Sequence, residues 1–238
     1  MGATLFDSYV LCMTTQLEKG AIPLSQWAEF NNRVVNALHG GLLNSTYRVG
    51  EPPVGVLQSL NPIFRPAVNS DIEAITAELS RRGVLTPRVL RTVDGALYHL
   101  ASDGSCWRGL SWVEWVTHHK LQDARLAASA ASMVGKWHNA LSDFEHEFAF
   151  SRPSAHDTQK HMADLLAGIA SNTEHRLASQ VEALGHNILN TWERWEGNLS
   201  LKPRVCHGDL KISNLQFSKQ GEAIALLDLD TIGMLSID

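Results

Sequence analysis

Hydrophobic and polar positions change period several times along the chain, and each change marks an expected element. Residues 3 to 38 mix apolar and polar positions at helical spacing, with Trp27, Phe30, Val34, Val35 and Leu38 on one face, which predicts a helical extension over residues 1–37. From Leu38 to Val49 two glycines precede a β-prone run, and a Gly-Glu-Pro-Pro turn at 50–53 leads into Val54 to Leu60, so strand, turn and strand are expected. Ser70 to Gly83 carries apolar residues at 72, 75 and 79, a Ser70/Glu73 capping box and a terminating glycine, and is expected to be a helix. Leu85 to Leu90 and Ala96 to Leu100 flank Asp94-Gly95 as a predicted hairpin, and Trp107 to Val116 reads as a strand running into a connector.

The second half has a different character. Asp123 to Phe144 is alanine-rich, with Leu126, Ala130, Met133, Val134, Trp137 and Leu141 at helical spacing, and predicts a buried or half-buried helix. Beyond a break at Arg152-Pro-Ser-Ala155, residues 156–197 read as a solvated helical hairpin. Val205 to Asn214 has polar groups too dense for a buried strand and reads as a loop. Leu215 to Phe217 and Ala223 to Asp228 form a predicted hairpin around a glycine-containing turn. The expected architecture is α+β, a β-rich lobe over residues 38–113 and a mainly helical lobe over 114–238.

Composition narrows the function. With 44% hydrophobic and 19% charged residues, the 238-residue chain is ordinary globular protein. A formal charge of -5 and a pI near 6.1 give no electrostatic reason for a nucleic-acid or anionic-membrane partner. Cys12, Cys106 and Cys206 lie far apart, which argues against a disulfide framework or structural zinc and fits a reducing cytoplasm. The N-terminus lacks a basic region followed by an apolar core, and no run approaches the roughly 20 apolar residues that span a bilayer, so a soluble protein is expected.

Chemistry concentrates in Val205-Cys-His-Gly-Asp-Leu-Lys-Ile-Ser-Asn214 and in Ala225-Leu-Leu-Asp-Leu-Asp230. Asp209 and Asn214 keep the Asp-x-x-x-x-Asn spacing of a phosphoryl-transfer loop, in which the carboxylate takes the acceptor's proton and the amide holds a metal ion. The hairpin returns Asp228 to Asn214, so an amide oxygen and a carboxylate 14 positions apart meet at one cation. Few hard-oxygen ligands suit magnesium, whose other positions go to water and nucleotide phosphates. Asp230 is a reserve ligand and His207 a loop-organising hydrogen-bonder; Gly208 stands where protein kinases carry Arg. Upstream, the glycine-rich turn before Asn44, Ser45 and Thr46 is either a plain turn or a place where backbone N–H groups approach phosphate. Gln58 either stands where a two-lobed kinase puts its phosphate-holding lysine, bringing an amide without a full charge, or is a solvent-facing strand glutamine. Glu73 either caps its helix or, like Glu78, reaches toward Gln58. The Trp107 region is core or the lining of an adenine slot, His138 reads as structural, and His156, His161, His175 and His186 lack metal-ligand spacing.

His-Gly-Asp-Leu-x-x-x-Asn followed by an apolar strand ending in Asp resembles the aminoglycoside phosphotransferase and choline kinase-like superfamily. Asn44 to Val49, Val56 to Phe64 and Gly135 to Leu141 are similar to its N-acetylhexosamine kinase-like branch, over roughly residues 35–235. The resemblance implies a bilobal protein-kinase-like fold with a nucleotide-binding N-lobe, ATP and magnesium as cofactors, and a small-molecule hydroxyl as acceptor. It makes Asp209 the catalytic base, Asn214 and Asp228 the magnesium ligands, and Asn44, Ser45, Thr46, Gln58 and Glu73 nucleotide-binding, Glu73 being the helix glutamate that positions the side chain at 58. Relatives continue past the metal-binding Asp, which makes a truncated form expected here. The expected activity is ATP-dependent phosphorylation of a sugar, amino sugar or related metabolite, with a catalytically silent nucleotide-binding scaffold as the alternative.

Overall fold

A computed structural model describes residues 22–38, 43–114, 116–152, 155–196 and 201–236. The chain divides into two compact units, Met1–Val116 and Thr117–Asp238.

The first unit is built on one antiparallel sheet. Its described part begins with a 3-10 turn at Leu24–Gln26 and then strand β1 (Val35–Leu38), so the helical extension expected over residues 1–37 is corrected for residues 22–37, and residues 1–21 lie outside the described residues. Trp27 and Phe30, three apart, are satisfied by tight turns with about three residues per turn, and β-branched Val34 and Val35 favour the extended chain that follows. Strands β2 (Ser45–Val49), β3 (Gly55–Ser59), β4 (Val89–Leu90), β5 (His99–Leu100) and β6 (Cys106–Ser111) complete a sheet ordered β1-β2-β3-β6-β4, with β5 also pairing β6. The hairpin expected from residues 85–100 does not form. Val89 pairs Leu110 while His99 pairs Trp107, so β4 and β5 lie along the same partner, because β6 is long enough to receive both. Trp27, Phe30, Tyr47, Val49, Leu57 and Trp107 make a buried cluster, which assigns Trp107 to the core. Gly109 permits this packing: a Cβ there would lie 2.7 Å from Trp27 Nε1, whose N–H donates to Leu90 O at 3.0 Å.

Helix α1 (Val68–Arg81) buries Ile72, Ile75 and Leu79, the apolar stripe its periodicity predicts. Its start corrects the capping box: the helix begins two residues before Ser70, after Ala67 and with no side-chain cap, because Pro66 sets the entry and Asn69 Nδ2 donates back to Pro66 O at 2.9 Å.

The second unit begins with the last residue of β7 (Val116–Thr117), and α2 (Ala124–Ala140), α3 (Thr158–Ser171) and α4 (Ala178–Glu193) follow. Asp123 caps α2 by accepting from Leu126 N at 2.8 Å, and Leu126, Ala130, Met133 and Trp137 are its buried face. The α3–α4 pair is the expected solvated hairpin, with Gly185 its one buried helical residue among those described. Strands β8 (Arg204–Cys206), β9 (Leu215–Phe217), β10 (Ala223–Leu226) and β11 (Gly233–Leu235) follow. The β9–β10 hairpin forms as predicted, in a sheet ordered β10-β9-β7. Ser129 on α2 accepts from Ala223 N at 2.8 Å and ties that helix to the hairpin. The loop reading of Val205 and Cys206 is corrected: both belong to β8, which pairs antiparallel with β11, a partner too distant in sequence to leave a local pattern.

Candidate active site

The site of the second unit grows from the end of β8. The chain leaves Cys206, places His207 in the interior at 0% exposure, and turns sharply at Gly208 with φ +77°. Only glycine fits there, since a Cβ would lie 2.2 Å from Thr231 O. His207 Nε2 donates to Leu227 O at 2.8 Å, and its Nδ1 accepts the backbone N–H of Asp209 at 3.3 Å. Thr231 Oγ1 donates to His207 O at 2.9 Å, so the loop is fixed from both sides. His207 thus organises the loop, as its sequence context suggests.

Asp209 emerges from this turn, and a 3-10 turn at Ile212–Asn214 brings Asn214 back to it. Asn214 Nδ2 donates to Asp209 O at 2.9 Å and to Asp209 Oδ2 at 3.2 Å. That orientation leaves Asn214 Oδ1, which accepts no hydrogen bond among the described residues, available to a cation. Leu227 N donates to Asn214 O at 2.8 Å, and this link carries the hairpin's far end to the loop. Asp228 follows in the left-handed region at φ 62°, ψ 60°. The Lys211 ammonium bridges the cluster, 2.5 Å from Asp209 Oδ2 and 3.8 Å from Asp228 Oδ2. Asp209, Asn214 and Asp228 are therefore brought together. Asp230, the reserve ligand, is buried at 1% exposure.

Partial burial pushes the Asp209 carboxyl up, but the hydrogen bond and charge of Lys211, aided by Asn214, outweigh it and hold the group below its ordinary range. Burial pushes His207 down, against the hydrogen bond to Leu227 O and the charge of Asp209, so its imidazole is neutral with the proton on Nε2. His138 is also pushed down, by burial and by Arg204, and makes an edge contact with Trp137, which fits its structural reading. The lysine shows that this cluster accommodates positive charge. Two carboxylates and an amide oxygen are donors of the kind a hard divalent cation takes, and Asn214 and Asp228 are the residues that could hold one.

In the first unit, Asn44, Ser45, Thr46 and Gln58 gather at one end of β2 and β3. Asn44 Oδ1 accepts from Asn61 N at 2.9 Å, Ser45 pairs Ser59, and Thr46 pairs Gln58, whose Nε2 donates to Thr46 Oγ1 at 3.0 Å. The glycines of the turn lie outside the described residues. Glu73 is not part of this group. Its carboxylate faces Arg88 at 3.6 Å and Arg91 at 3.5 Å, and it makes no hydrogen bond or ion pair with Gln58 among the described residues. Glu78 is held by Arg81 of its own helix and by Arg82 just after it, which lower its pKa to about 2.

Two cations escaped the sequence reading. Lys211 sits inside the quoted motif, two positions from Asp209, and that proximity was its signal. Arg108 meets Gln58 across 50 positions, a pairing without local periodicity.

A sequence model of the phosphotransferase enzyme family matches residues 34–235, and the chain belongs to that family. No curated protein matches it. Among solved structures it is similar to amicoumacin kinase hAmiN in complex with AMP-PNP, Ca2+ and Ami, at 14% identity and TM-score 0.60, covering 95% of this chain and 64% of that one. It is similar to APH(2")-IIia in a GDP and kanamycin complex, at 16% identity and TM-score 0.63, covering 95% and 73%. A microcompartment-associated aminopropanol kinase matches at 16% identity and TM-score 0.56, over 88% and 68%. At these identities the likeness establishes the α+β fold, and the chain spans just under two thirds of the amicoumacin kinase's length.

Proposed function

We propose that this chain is a small-molecule kinase that transfers the terminal phosphoryl group of ATP or a related nucleoside triphosphate to a hydroxyl of a sugar, amino sugar or similar metabolite, nearest in kind to N-acetylhexosamine kinase-like proteins. The observation that carries the reading is the convergence of Asp209, Lys211, Asn214 and Asp228 on one solvent-facing cluster. The nucleotides held by the similar structures, AMP-PNP and GDP, support the donor class. On this reading residues 38–113 form the nucleotide-binding lobe, residues 114–238 carry the chemistry, and the protein works in the cytoplasm, apart from nucleic acid and membrane, in keeping with its scattered cysteines and charge of -5.

Asp209, ionised at neutral pH because Lys211 and Asn214 stabilise its charged form, accepts a hydrogen bond from the acceptor hydroxyl and takes its proton as the new P–O bond forms and the bond to the departing nucleoside diphosphate breaks. His207 and Gly208 fix the carboxylate's direction, which places the acceptor in line. Asn214 Oδ1 and Asp228 would hold magnesium, which would neutralise charge on the phosphate oxygens. Lys211, 2.5 Å from Asp209 Oδ2 and 3.8 Å from Asp228 Oδ2, supplies a positive charge beside the transferred group.

The test is magnesium-dependent turnover of ATP and GTP over a panel of sugars, amino sugars and aminoglycosides. Asp209→Asn is expected to slow turnover about 10²–10⁴-fold with nucleotide affinity kept; unchanged turnover removes Asp209 from the mechanism. Nucleotide binding without turnover of any acceptor assigns the silent binder instead, a reading that Gln58 at the lysine position favours.

A further inference from the structure

A kinase site needs fixed positive charge against the donor's phosphates, and Gln58 brings none. We propose that Arg108 provides it indirectly, polarising a relay through Gln58 to the Thr46 hydroxyl, which donates to a phosphate oxygen of the bound nucleoside triphosphate. The proposal rests on the kinase reading above.

Thr46 and Gln58 are directly opposed on β2 and β3, and Gln58 and Arg108 are directly opposed on β3 and β6. Residues paired in this way project to the same face, so the three side chains form one row across the sheet. Arg108 Nε and Nη2 both donate to Gln58 Oε1, at 2.9 and 2.6 Å. A guanidinium only donates, so the oxygen of the amide must face Arg108 and the nitrogen must face Thr46. Gln58 Nε2 accordingly donates to Thr46 Oγ1 at 3.0 Å. With its oxygen accepting, the Thr46 hydroxyl has its own proton left to give. Every link points the same way, from a cation at 1% exposure to a partly exposed hydroxyl beside Ser45.

Burial makes the charge effective. In a low-dielectric interior a guanidinium acts on an amide hydrogen-bonded to it more strongly than it would in water. Hydrogen bonds in such a chain strengthen one another, so the terminal hydroxyl is a better donor to an anion than an isolated threonine would be. A lysine at 58 would act as a point charge; the row delivers a directed donor whose orientation is set before the ligand arrives. Arg108 is a positioning residue in this scheme and does not touch the nucleotide.

Calorimetric titration of the whole chain with magnesium and ATP or GTP, and separately with the matching nucleoside, tests the relay. Arg108→Met is expected to weaken triphosphate binding roughly 10–100-fold and to leave nucleoside binding within about twofold. Thr46→Val is expected to act in the same direction by roughly 3–10-fold. Arg108→Met combined with Gln58→Lys moves the charge one strand along the row and is expected to restore triphosphate affinity. A folded Arg108→Met that binds triphosphate like the parent, or that loses nucleoside and triphosphate equally, overturns the relay and leaves the kinase reading intact. Should Arg108→Met fail to fold, Thr46→Val and Gln58→Leu decide: parental triphosphate affinity in both overturns it. A parent chain that binds no nucleotide at all overturns the kinase reading itself, and the relay with it.

Discussion

Charge is handled in opposite ways by the two units. The Asp209 and Asp228 side chains are 38% and 46% exposed and share one lysine ammonium, whereas the Arg108 guanidinium is 1% exposed and clasped to an amide. Exposed pairs are worth roughly 0–1 kcal/mol, so the lysine bridge can open whenever a stronger cation arrives. A buried charge that loses its hydrogen bonds costs several times more, so the Arg108 row keeps its geometry whether or not a ligand is present. One arrangement is suited to exchange, the other to permanence.

The comparison breaks most readily at the turn that holds the exposed cluster. Gly208→Ala forces a left-handed residue and a clash with Thr231 O, and is expected to cost about 3 kcal/mol or more, measured as a lower urea midpoint at unchanged slope. Near-parental stability would mean that the loop relaxes freely and that the cluster's geometry is not fixed by it. Next in size, Asp228→Ala is expected to weaken manganese or magnesium binding about 100-fold or more, because even outer partners of metal ligands are worth 10–100-fold. Unaltered cation affinity would remove Asp228 from the ligand set.

The buried imidazole gives a pH signature. His207 has its folded pKa below the ordinary 6.5, so the unfolded chain takes up a proton first as pH falls. Stability is therefore complete above pH 6.5 and declines below it, by at most about 1.4 kcal/mol per pH unit from this one group. Denaturation in urea between pH 7.5 and 5 should show this slope, and His207→Gln should flatten it; an equal slope in both proteins assigns the decline elsewhere. The smallest effect sharpens the contrast directly. Lys211→Met should tighten cation binding to the nucleotide-free protein by roughly 2–5-fold, the worth of an exposed pair, while slowing turnover. Weaker cation binding in that variant would show that the ammonium assists the metal instead of standing in its place.

The parts of this site that were legible in the sequence are local ones. Asp209 and Asn214 lie within a single loop, and the β9–β10 hairpin that returns Asp228 has its own turn and apolar runs, so spacing alone brought them together. Helices α1 and α2 were readable from their stripes. What escaped depends on partners far along the chain. The β1 strand, the shared seating of β4 and β5 on β6, the pairing of β8 with β11 and the Gln58–Arg108 contact leave no short-range period. Glu73 illustrates the cost: its position on the helix was visible, but its facing cations, Arg88 and Arg91, come after the helix has ended.

The β8–β11 pair also makes the cluster depend on residues beyond it. All four side chains of the cluster have been synthesised by residue 228, yet the strand that completes the pair beside His207 spans Gly233–Leu235, just beyond the Thr231 oxygen that crowds Gly208. A chain cut a few residues before Gly233 would therefore carry all four side chains of the cluster and lack the strand that pairs beside His207.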